Sequence, residues 1–294
     1  MRIGVTGATG FVGRHLVPAL RQAGHHVVRI GRGRDADVRW DPASAMIDVG
    51  ACAGIDAFVN LAGENIGGRW TSAHRRAILE SRVQGTSLLA RTAAALTPRP
   101  RVLVCASAIG IYGEKGDAPC NESAAPGTDY LSEVGLAWER AADASRQAGI
   151  RTVHARFGVL LGRGGGALSA MLPVFRRGLG ARLSHGRQWM SWLAVADAVA
   201  IVQRALDDEA LAGPVNAVSP SPVTNAEFTR TLARVVGRPA LFAVPAVALR
   251  LLYGELADAT LLISQRVVPA KLQALGFAFQ YPTLDASLRA AVEP

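Results

Sequence analysis

Three glycines near the start of the chain have the spacing of a phosphate-binding turn. They lie in the segment Thr6-Gly7-Ala8-Thr9-Gly10-Phe11-Val12-Gly13, between a short β-branched run and a helix-like stretch. In such a turn the first glycine allows a tight bend, the second lets the backbone approach a pyrophosphate, and the third lets the helix pack on the strand. The N–H groups at the start of the helix then face the anion. The sequence predicts that a dinucleotide is bound by Gly7, Thr9, Gly10, Phe11, Val12 and Gly13.

The end of the second strand-like run distinguishes between two dinucleotides. A carboxylate there accepts the ribose 2′-hydroxyl of NAD, whereas an arginine suits the 2′-phosphate of NADP. The sequence places Arg32 and Arg34 at this point, and the first acidic residues follow at Asp35 and Asp37. A guanidinium group binds phosphate through two parallel hydrogen bonds. We therefore predict NADP, with Arg32 and Arg34 at the 2′-phosphate; the alternative is that both arginines are solvated loop charges.

The elements that must position these residues follow from an alternating pattern in the first half of the chain. Short β-branched runs over residues 3–6, 26–30, 57–61, 102–106 and 152–157 are separated by helix-length stretches over 14–23, 72–96 and 131–148. Such alternation is typical of βαβ units and a parallel sheet. Several runs are apolar at successive positions, as a sheet covered on both faces requires. The fold class predicted is α/β, a Rossmann-like doubly wound parallel sheet.

The pattern changes after residue 162. Gly164, Gly165 and Gly166 predict a flexible joint, and the chain beyond them mixes short helices with turns punctuated by proline. We predict a dinucleotide-binding domain over residues 1–162 and a smaller mixed α/β substrate cap over most of 163–294, with later segments also contributing to the sheet. Ligands of open α/β sheets bind outside the carboxyl ends of the strands, so this cap is expected to form the substrate wall.

The charge balance indicates the class of partner. The chain of 294 residues has 32 basic and 23 acidic residues, a net charge of +9, and 50% of its residues are hydrophobic. The arginines are scattered in ones and twos, without the run of like charges found in nucleic-acid-binding tails. A small polyanionic ligand accounts for the charge equally well. We expect a folded protein with a small-molecule substrate and no nucleic-acid partner, and the sequence leaves a homo-oligomer open.

Cysteine, histidine and hydropathy patterns exclude further classes. Cys52, Cys105 and Cys120 are odd in number and include no C-x-x-C pair, which argues against a disulfide framework. The six histidines lack the spacing of metal ligands, so no metal site is predicted. No uncharged apolar run reaches the roughly 18 residues of a membrane span, and no signal peptide is recognised. We expect a cytoplasmic protein with no membrane partner.

Several motifs give the chain a family likeness. They are the glycine turn, Asn60-Leu61-Ala62-Gly63 after the third strand-like run, Ala106-Ser107 with Tyr112-Gly113 after the fourth, and residues 156–160 closing the fifth. With these motifs the chain resembles the extended short-chain dehydrogenase/reductases, the superfamily of the sugar-nucleotide epimerases. Residues 60–67, 81–83, 186–189, 266–269 and 275–277 are similar to an atypical subgroup, the epimerase-family proteins with a C-terminal domain of unknown function. The resemblance covers nearly the whole chain and implies that Leu61, Ala62 and Gly63 border the cofactor.

The resemblance also implies catalytic positions. The superfamily uses a serine, a tyrosine and a lysine four residues after the tyrosine to move a proton and polarise a carbonyl. The serine corresponds to Ser107, with a one-residue ambiguity toward Ala108. In one register the tyrosine corresponds to Tyr130, directly before the helix-length stretch 131–148, and the lysine position is then Val134. Anchoring on Trp138 and Glu139 instead places the tyrosine and lysine positions at Leu131 and Gly135, so neither register supplies a lysine.

An asparagine position of the superfamily is matched by Arg82. Its permanent positive charge suits a tyrosinate, an enolate or a substrate carboxylate, although an arginine on a helix surface is an equal alternative. The predicted catalytic residues are therefore Ser107, Arg82 and Tyr130. Trp189 and Trp192 are expected either to line the substrate or to form a buried cluster.

Two functions follow. The first is an NADP-dependent oxidoreductase or epimerase-like enzyme acting on a small hydroxyl- or carbonyl-bearing substrate, with a nucleotide-sugar implied by the superfamily likeness alone. The second is a non-catalytic NADPH-binding sensor or partner-binding protein, in which the missing Tyr-Lys pair marks the end of catalysis. The fold by itself does not choose between them.

Overall fold

The computed structural model describes residues 1–292. The strands are β1 (Arg2–Thr6), β2 (His26–Gly31), β3 (Val38–Asp41), β4 (Met46–Ile47), β5 (Ala57–Asn60), β6 (Val102–Ala108), β7 (Pro119–Cys120), β8 (Arg151–Phe157), β9 (Val159–Gly162), β10 (Ala181–Leu183), β11 (Trp189–Met190), β12 (Trp192–Ala194), β13 (Gly213–Ala217), β14 (Val223–Thr224), β15 (Phe242–Val244) and β16 (Arg266–Val267). The helices are α1 (Gly13–Gln22), α2 (Ser72–Ala95), α3 (Tyr130–Arg140), α4 (Asp143–Gln147), α5 (Gly166–Arg176), α6 (Val195–Asp207), α7 (Asn225–Val236), α8 (Ala246–Tyr253), α9 (Ala270–Ala274) and α10 (Leu284–Val292). Short 3-10 turns cover Gly50–Cys52 and Ile109–Tyr112, and a π-helical turn covers Ala257–Leu261.

The main sheet has eight strands in the order β13-β8-β6-β5-β1-β2-β3-β4. All pairs are parallel except the edge pair of β3 with β4. Thr6 lies opposite Ile30 on one side and Asn60 on the other, so these strands end at the same edge. The Rossmann-like doubly wound fold is confirmed, and all five predicted strands are present.

Helices cover both faces of this sheet. Buried side chains of α1 and α6, such as Leu16, Leu20 and Val202, form one core with β1, β5 and β8. Buried side chains of α2, such as Leu88 and Leu89, form a second core on the opposite face. The spacing of the buried residues Leu16, Val17 and Leu20 places them on one side of α1, as an amphipathic helix requires. Within residues 1–292, no helix combines the length and hydropathy needed to cross a membrane.

One predicted helix is interrupted. The stretch 131–148 forms two helices, α3 and α4, separated by Ala141 and Ala142. The Ser145 hydroxyl donates a hydrogen bond to the carbonyl of Ala142, and Ser145 is fully buried. A serine that binds nearby backbone in this way competes with the helical hydrogen-bond ladder.

The second half of the chain contributes to two bodies. Strand β13 and helix α6 return to the main sheet, and the sequence had not located β13 individually. The remaining segments form a smaller mixed α/β cap. A separate apolar core holds this cap together and includes Leu168, Phe175, Trp192, Phe228 and Leu288.

Candidate functional site

The turn after β1 is held by close backbone packing. Gly7 has φ of +65°, and a Cβ on it would lie 2.7 Å from the carbonyl carbon and oxygen of Leu61. The Gly10 N–H donates to the Gly7 carbonyl at 2.9 Å and closes the turn. A Cβ on Gly13 would overlap that same carbonyl, so the start of α1 packs directly on the turn. Gly7 and Gly13 are therefore required by the fold itself.

The middle of the turn has different surroundings. Gly10 is exposed, and the only atom within 4 Å of a Cβ built on it is the Gly7 carbonyl oxygen at 3.1 Å. The backbone N–H groups of Thr9, Phe11 and Val12 make no hydrogen bond within residues 1–292. Unpaired N–H groups at the start of a helix form an anion-binding site. An open cradle at Gly10 beside such donors suits a pyrophosphate group.

These two environments predict different effects of alanine at the two glycines. Gly7→Ala should lower the melting temperature, because the methyl group meets the backbone of Leu61 and the left-handed φ is strained. Gly10→Ala should leave the melting temperature nearly unchanged but reduce the stabilisation by added dinucleotide, because its methyl group projects into the cradle. Thermal melts with and without NADPH separate the two effects. Full ligand-induced stabilisation of Gly10→Ala would place the pyrophosphate elsewhere.

Arg32 and Arg34 are exposed just beyond β2, next to the glycine turn in the sheet order. The nearby carboxylate of Asp37 accepts a hydrogen bond from the Arg29 N–H at 2.7 Å, and this bond holds the pKa of Asp37 below its ordinary value. Asp37 thus interacts with Arg29 and forms no ion pair with Arg32. Arg32 also contributes, after hydrogen bonds from Ser44 and Ala43, to lowering the pKa of Asp41. Arg32, Arg34 and Asp35, all in the loop between β2 and β3, are exposed and form no ion pair within residues 1–292.

A buried polar network supports the turn at Leu61, Ala62 and Gly63. The N–H groups of Leu61 and Ala62 donate to Thr6 Oγ1 at 3.2 and 3.3 Å. The hydroxyl of Thr6 donates to the Asn60 side chain at 2.6 Å. Asn60 in turn donates to Thr86 at 2.8 Å, and the Trp138 indole N–H donates to the same Thr86 oxygen at 2.9 Å. Thr86 was not predicted as part of the site, because the network joins strands and helices far apart in the chain.

Ser107 lies near the end of β6, and its side chain is buried. It is 2% exposed, and its hydroxyl donates to Glu139 Oε1 at 2.8 Å. The same carboxylate receives two hydrogen bonds from Arg156, at 2.7 and 2.8 Å. The Ser107 hydroxyl is therefore hydrogen-bonded within the protein, and its role in orienting a reacting oxygen stays a prediction. Sequence reasoning did not identify the Glu139–Arg156 pair.

The electrostatics of this pair follow from its geometry. Burial by itself raises the pKa of Glu139, but the hydrogen bonds and charge of Arg156 outweigh it and hold the pKa below its ordinary value. Burial opposes the charge of Arg156, yet the bonds to Glu139 raise the pKa of Arg156 overall. Arg156 also donates to the Tyr112 hydroxyl at 2.8 Å, and Tyr112 donates to Asn216 at 2.6 Å. Tyr112 is buried at the strand end and is not available to a substrate.

The two lysine positions considered from the sequence are closed by packing. A Cβ on Gly135 would lie 2.9 Å from the Cβ of Ile111, so a longer side chain has no room there. Val134, the position in the other register, is buried in an apolar cluster. Neither position carries a lysine. At Gly135 the turn after β6 fills the space that a lysine side chain would need.

Arg82 lies against the turn after β5. Its Nη1 donates to the carbonyls of Glu64 and Ile78, both at 3.0 Å, and its guanidinium lies 4.9 Å from the centre of the Trp138 ring. A Cβ on Gly63 would contact the guanidinium carbon at 3.4 Å. Burial lowers the pKa of Arg82, while Tyr130 and Glu64 act in the opposite direction. Since an arginine does not lose its proton in proteins, a permanent charge lies beside the proposed cofactor turn.

Tyr130 is the first residue of α3, and its hydroxyl is hydrogen-bonded to the backbone. It donates to the Arg75 carbonyl at 2.5 Å, and the Arg75 guanidinium lies 4.1 Å from the ring centre. Burial raises the pKa of Tyr130, with Arg75 and Arg82 opposing the shift in part. The ring also lines an open cavity of about 580 Å³, together with His185 and Arg250 from the cap. A smaller cavity of about 360 Å³, near Arg2 and His26, lies at the opposite edge of the sheet, where β1 and β2 begin.

The two tryptophans have separate environments. Trp192 is fully buried in the cap core, and its indole N–H donates to the Ser221 carbonyl at 2.9 Å. Trp189 is partly exposed and donates to Asp117 at 2.8 Å. Of the two alternatives for Trp192, the buried one is confirmed.

Comparisons with known proteins agree with this architecture. Residues 3–217 match the NAD dependent epimerase/dehydratase family, and residues 244–291 match a domain of unknown function. The epimerase family protein Mb2239 of Mycobacterium bovis is 41% identical over 290 residues, covering 97% of this chain and 96% of the relative.

Two solved structures are similar over the whole chain. The human epimerase family protein SDR39U1, crystallised with NADPH, has a TM-score of 0.89 and 33% identity, covering 100% of this chain and 99% of that one. A nucleoside-diphosphate sugar epimerase from Corynebacterium glutamicum has a TM-score of 0.82 and 34% identity, covering 99% of this chain and 58% of that longer one.

Proposed function

The chain belongs to the NAD dependent epimerase/dehydratase family of extended short-chain dehydrogenase/reductases, and on that premise we propose that it is an NADPH-binding enzyme. Its reaction is oxidoreductase or epimerase chemistry on a small hydroxyl- or carbonyl-bearing substrate. The observation that carries the proposal is the open cradle at Gly10, beside three unpaired N–H groups and next to the strand end that bears Arg32. The human relative crystallised with NADPH supports the choice of cofactor.

Each part of the cofactor has residues suited to it. The N–H groups of Thr9, Phe11 and Val12 suit the pyrophosphate, and Arg32 with Arg34 suits the 2′-phosphate. The turn from Leu61 to Gly63 borders the cofactor on the next strand. NADPH supplies a hydride when bound, and the protein contributes binding, orientation and charge.

The chemistry proposed for this chain does without the Tyr-Lys pair. Arg82 is the proposed catalytic residue, because its charge is fixed next to Gly63 and within electrostatic range of Tyr130. Ser107 acts through Glu139 as a positioning residue. Most of residues 163–294 supply the substrate wall, and a nucleotide-sugar is one candidate substrate, supported by the name of the Corynebacterium relative.

A second function, that of a non-catalytic NADPH sensor or partner-binding protein, is favoured by one observation. The turn after β6 fills the space a lysine needs, since Ile111 packs against Gly135. Loss of both the residue and its space is expected where selection no longer keeps proton transfer. Under both hypotheses the cofactor binds at the same site, but only an enzyme converts a substrate.

The cofactor proposal is tested at Arg32. Arg32→Ala should weaken NADPH binding by about 1.5 to 3 kcal/mol, the range for hydrogen bonds to charged groups, or roughly tenfold to a hundredfold. NADH affinity should be unchanged because NADH has no 2′-phosphate. Calorimetric titration with both nucleotides measures this, with Arg91→Ala on α2 as the control for loss of an exposed arginine. An unchanged NADPH affinity in Arg32→Ala would show that Arg32 does not bind the 2′-phosphate.

A further inference from the structure

The net positive charge of the chain is concentrated in two segments. Residues 163–196 contain five arginines and no acidic residue, and residues 228–254 contain four arginines and no acidic residue. Removing these nine arginines from the total of 32 basic residues leaves 23, equal to the 23 acidic residues of the whole chain. The nine arginines thus equal in number the excess of basic over acidic residues, and two of them, Arg234 and Arg250, pair with Asp285 and Asp258 outside these segments.

The same two segments carry most of the large apolar side chains that are exposed to solvent. The most exposed are Leu241 at 86%, Leu251 at 73%, Leu252 at 67%, Val247 at 62%, Phe242 at 59% and Leu179 at 57%. We call this set the apolar face. Scattered exposed leucines are ordinary on a protein surface, but a cluster of this kind marks an interaction site.

The members of the apolar face lie on neighbouring elements. Strand β10 pairs in parallel with β15, with Ala181 opposite Phe242, and Leu179 lies two residues before Ala181. Helix α8 begins four residues after Phe242. Within α8, Val247 and Leu251 are one helical turn apart and project on the same side.

Arginines adjoin these apolar residues without acidic partners. Arg176 is the last residue of α5 and Arg177 follows it, Arg182 lies on β10, and Arg238 lies three residues before Leu241. All four are exposed, and none forms an ion pair within the part of the chain that the structure describes. Exposed aliphatic side chains beside unpaired positive charges are typical of a protein surface that rests on an anionic bilayer.

We propose that the apolar face docks on the surface of an anionic phospholipid bilayer. The aliphatic and aromatic side chains enter the boundary between headgroups and acyl chains, and the arginines contact lipid phosphates. A second copy of this chain is a less suitable occupant, because it would bring unpaired arginines against one another. The proposal departs from the expectation of no membrane partner, involves no membrane-spanning helix, and is independent of the NADPH site.

Vesicle flotation tests the proposal on the full chain. The protein should float with vesicles of phosphatidylcholine and phosphatidylglycerol, should not float with phosphatidylcholine alone, and should be released by high salt. Arg176→Gln with Arg177→Gln should weaken the association roughly twenty-five-fold, because each arginine near an anionic surface contributes about a factor of five. Phe242→Ser with Leu251→Ser should weaken it by at least as much, because both side chains leave the interface.

Matched controls keep the test specific. Met46→Ser with Val49→Ser removes exposed apolar side chains near the opposite sheet edge, and Arg91→Gln with Arg140→Gln removes exposed arginines from α2 and α3. Both controls should float like the unmodified protein. Thermal melts with NADPH verify that every variant is folded.

Two outcomes would overturn the proposal. Equal recovery with neutral and anionic vesicles, or none with either, would exclude an anionic bilayer. A dimer in solution that dissociates in Phe242→Ser with Leu251→Ser, without vesicle binding, would make the apolar face an interface between copies.

Discussion

Replacing Glu139 with alanine is expected to lower the free energy of unfolding by about 3 to 5 kcal/mol. Arg156 would remain buried, with side-chain exposure of 9%, after losing both hydrogen bonds to the carboxylate. Removing one partner of a buried ion pair leaves an uncompensated charge, and this desolvation cost dominates. Urea unfolding of the two proteins measures the difference. Ser107 would lose its hydrogen-bond acceptor in the same variant.

The control lies on the same helix. Glu133 is exposed in the first turn of α3, so Glu133→Ala should change the free energy of unfolding by no more than about 0.5 kcal/mol. If Glu139→Ala were no more destabilised than Glu133→Ala, the buried pair would not hold α3 to β6 and β8.

The pair also has a defined pH dependence. Because the pKa of Glu139 is below its ordinary value in the folded protein, its stabilisation is fully present above the ordinary glutamate pKa and is lost as the pH falls through the lowered value. Comparison with Glu139→Gln isolates this contribution, since the amide does not titrate. The difference in stability between the two proteins should narrow as the pH falls.

Arg82→Ala is expected to lower kcat on the order of a hundredfold to a thousandfold once a turnover assay exists. This range is the one typical of removing a single preorganised hydrogen-bond donor from an active site. Arg82→Lys should recover part of the rate because it keeps the positive charge. The recovery should be incomplete because lysine lacks the Nη1 that donates to the carbonyls of Glu64 and Ile78. Oxidation of NADPH, followed by nicotinamide absorbance against a panel of carbonyl compounds, provides the assay. Arg91→Ala, on the exposed side of the same helix, should be unaffected.

The other two candidate residues are expected to respond differently. Ser107→Ala should lower kcat without adding or removing a pKa in the pH profile, because it acts through Glu139. Tyr130→Phe should have a small effect, since its hydroxyl is bonded to the Arg75 carbonyl. A basic-limb pKa that disappears in Tyr130→Phe with a large loss of kcat would restore tyrosine as the acid. Unchanged turnover in all three variants would show that the proposed active site is wrong. It would favour the alternative function of a non-catalytic NADPH sensor.

The parts of the fold that the sequence predicted are those set by local patterns. The glycine turn and the five apolar strands are read from residues adjacent in the chain, so their positions in the structure agree with expectation. Strand β13 was not located, because its residues join the sheet only by pairing with β8, some 60 residues earlier. The break between α3 and α4 falls at two alanines, Ala141 and Ala142, and no glycine or proline marks it in the sequence.

The candidate site shows the same division. The glycine turn and the arginines after β2 follow from spacing, whereas the orientation of Ser107 depends on which face of β6 it occupies. A shift of one residue along a strand moves a side chain to the opposite face. The one-residue ambiguity between Ser107 and Ala108 therefore left open which face of β6 carries the predicted residue. The pairing of Glu139 with Arg156 could not be read from the sequence, because α3 also carries Glu133 and Arg140 and β8 also carries Arg151, and the sequence does not show which of these charges are buried.

Titration of the unmodified chain with NADPH and with NADH is the measurement that tests the central claim most directly. The account predicts that NADPH binds at least about tenfold more tightly, because only NADPH carries the 2′-phosphate that we propose Arg32 and Arg34 bind. The preference should shrink at high salt, since both arginines are exposed. Equal dissociation constants for the two nucleotides, or no binding of either, would contradict the account.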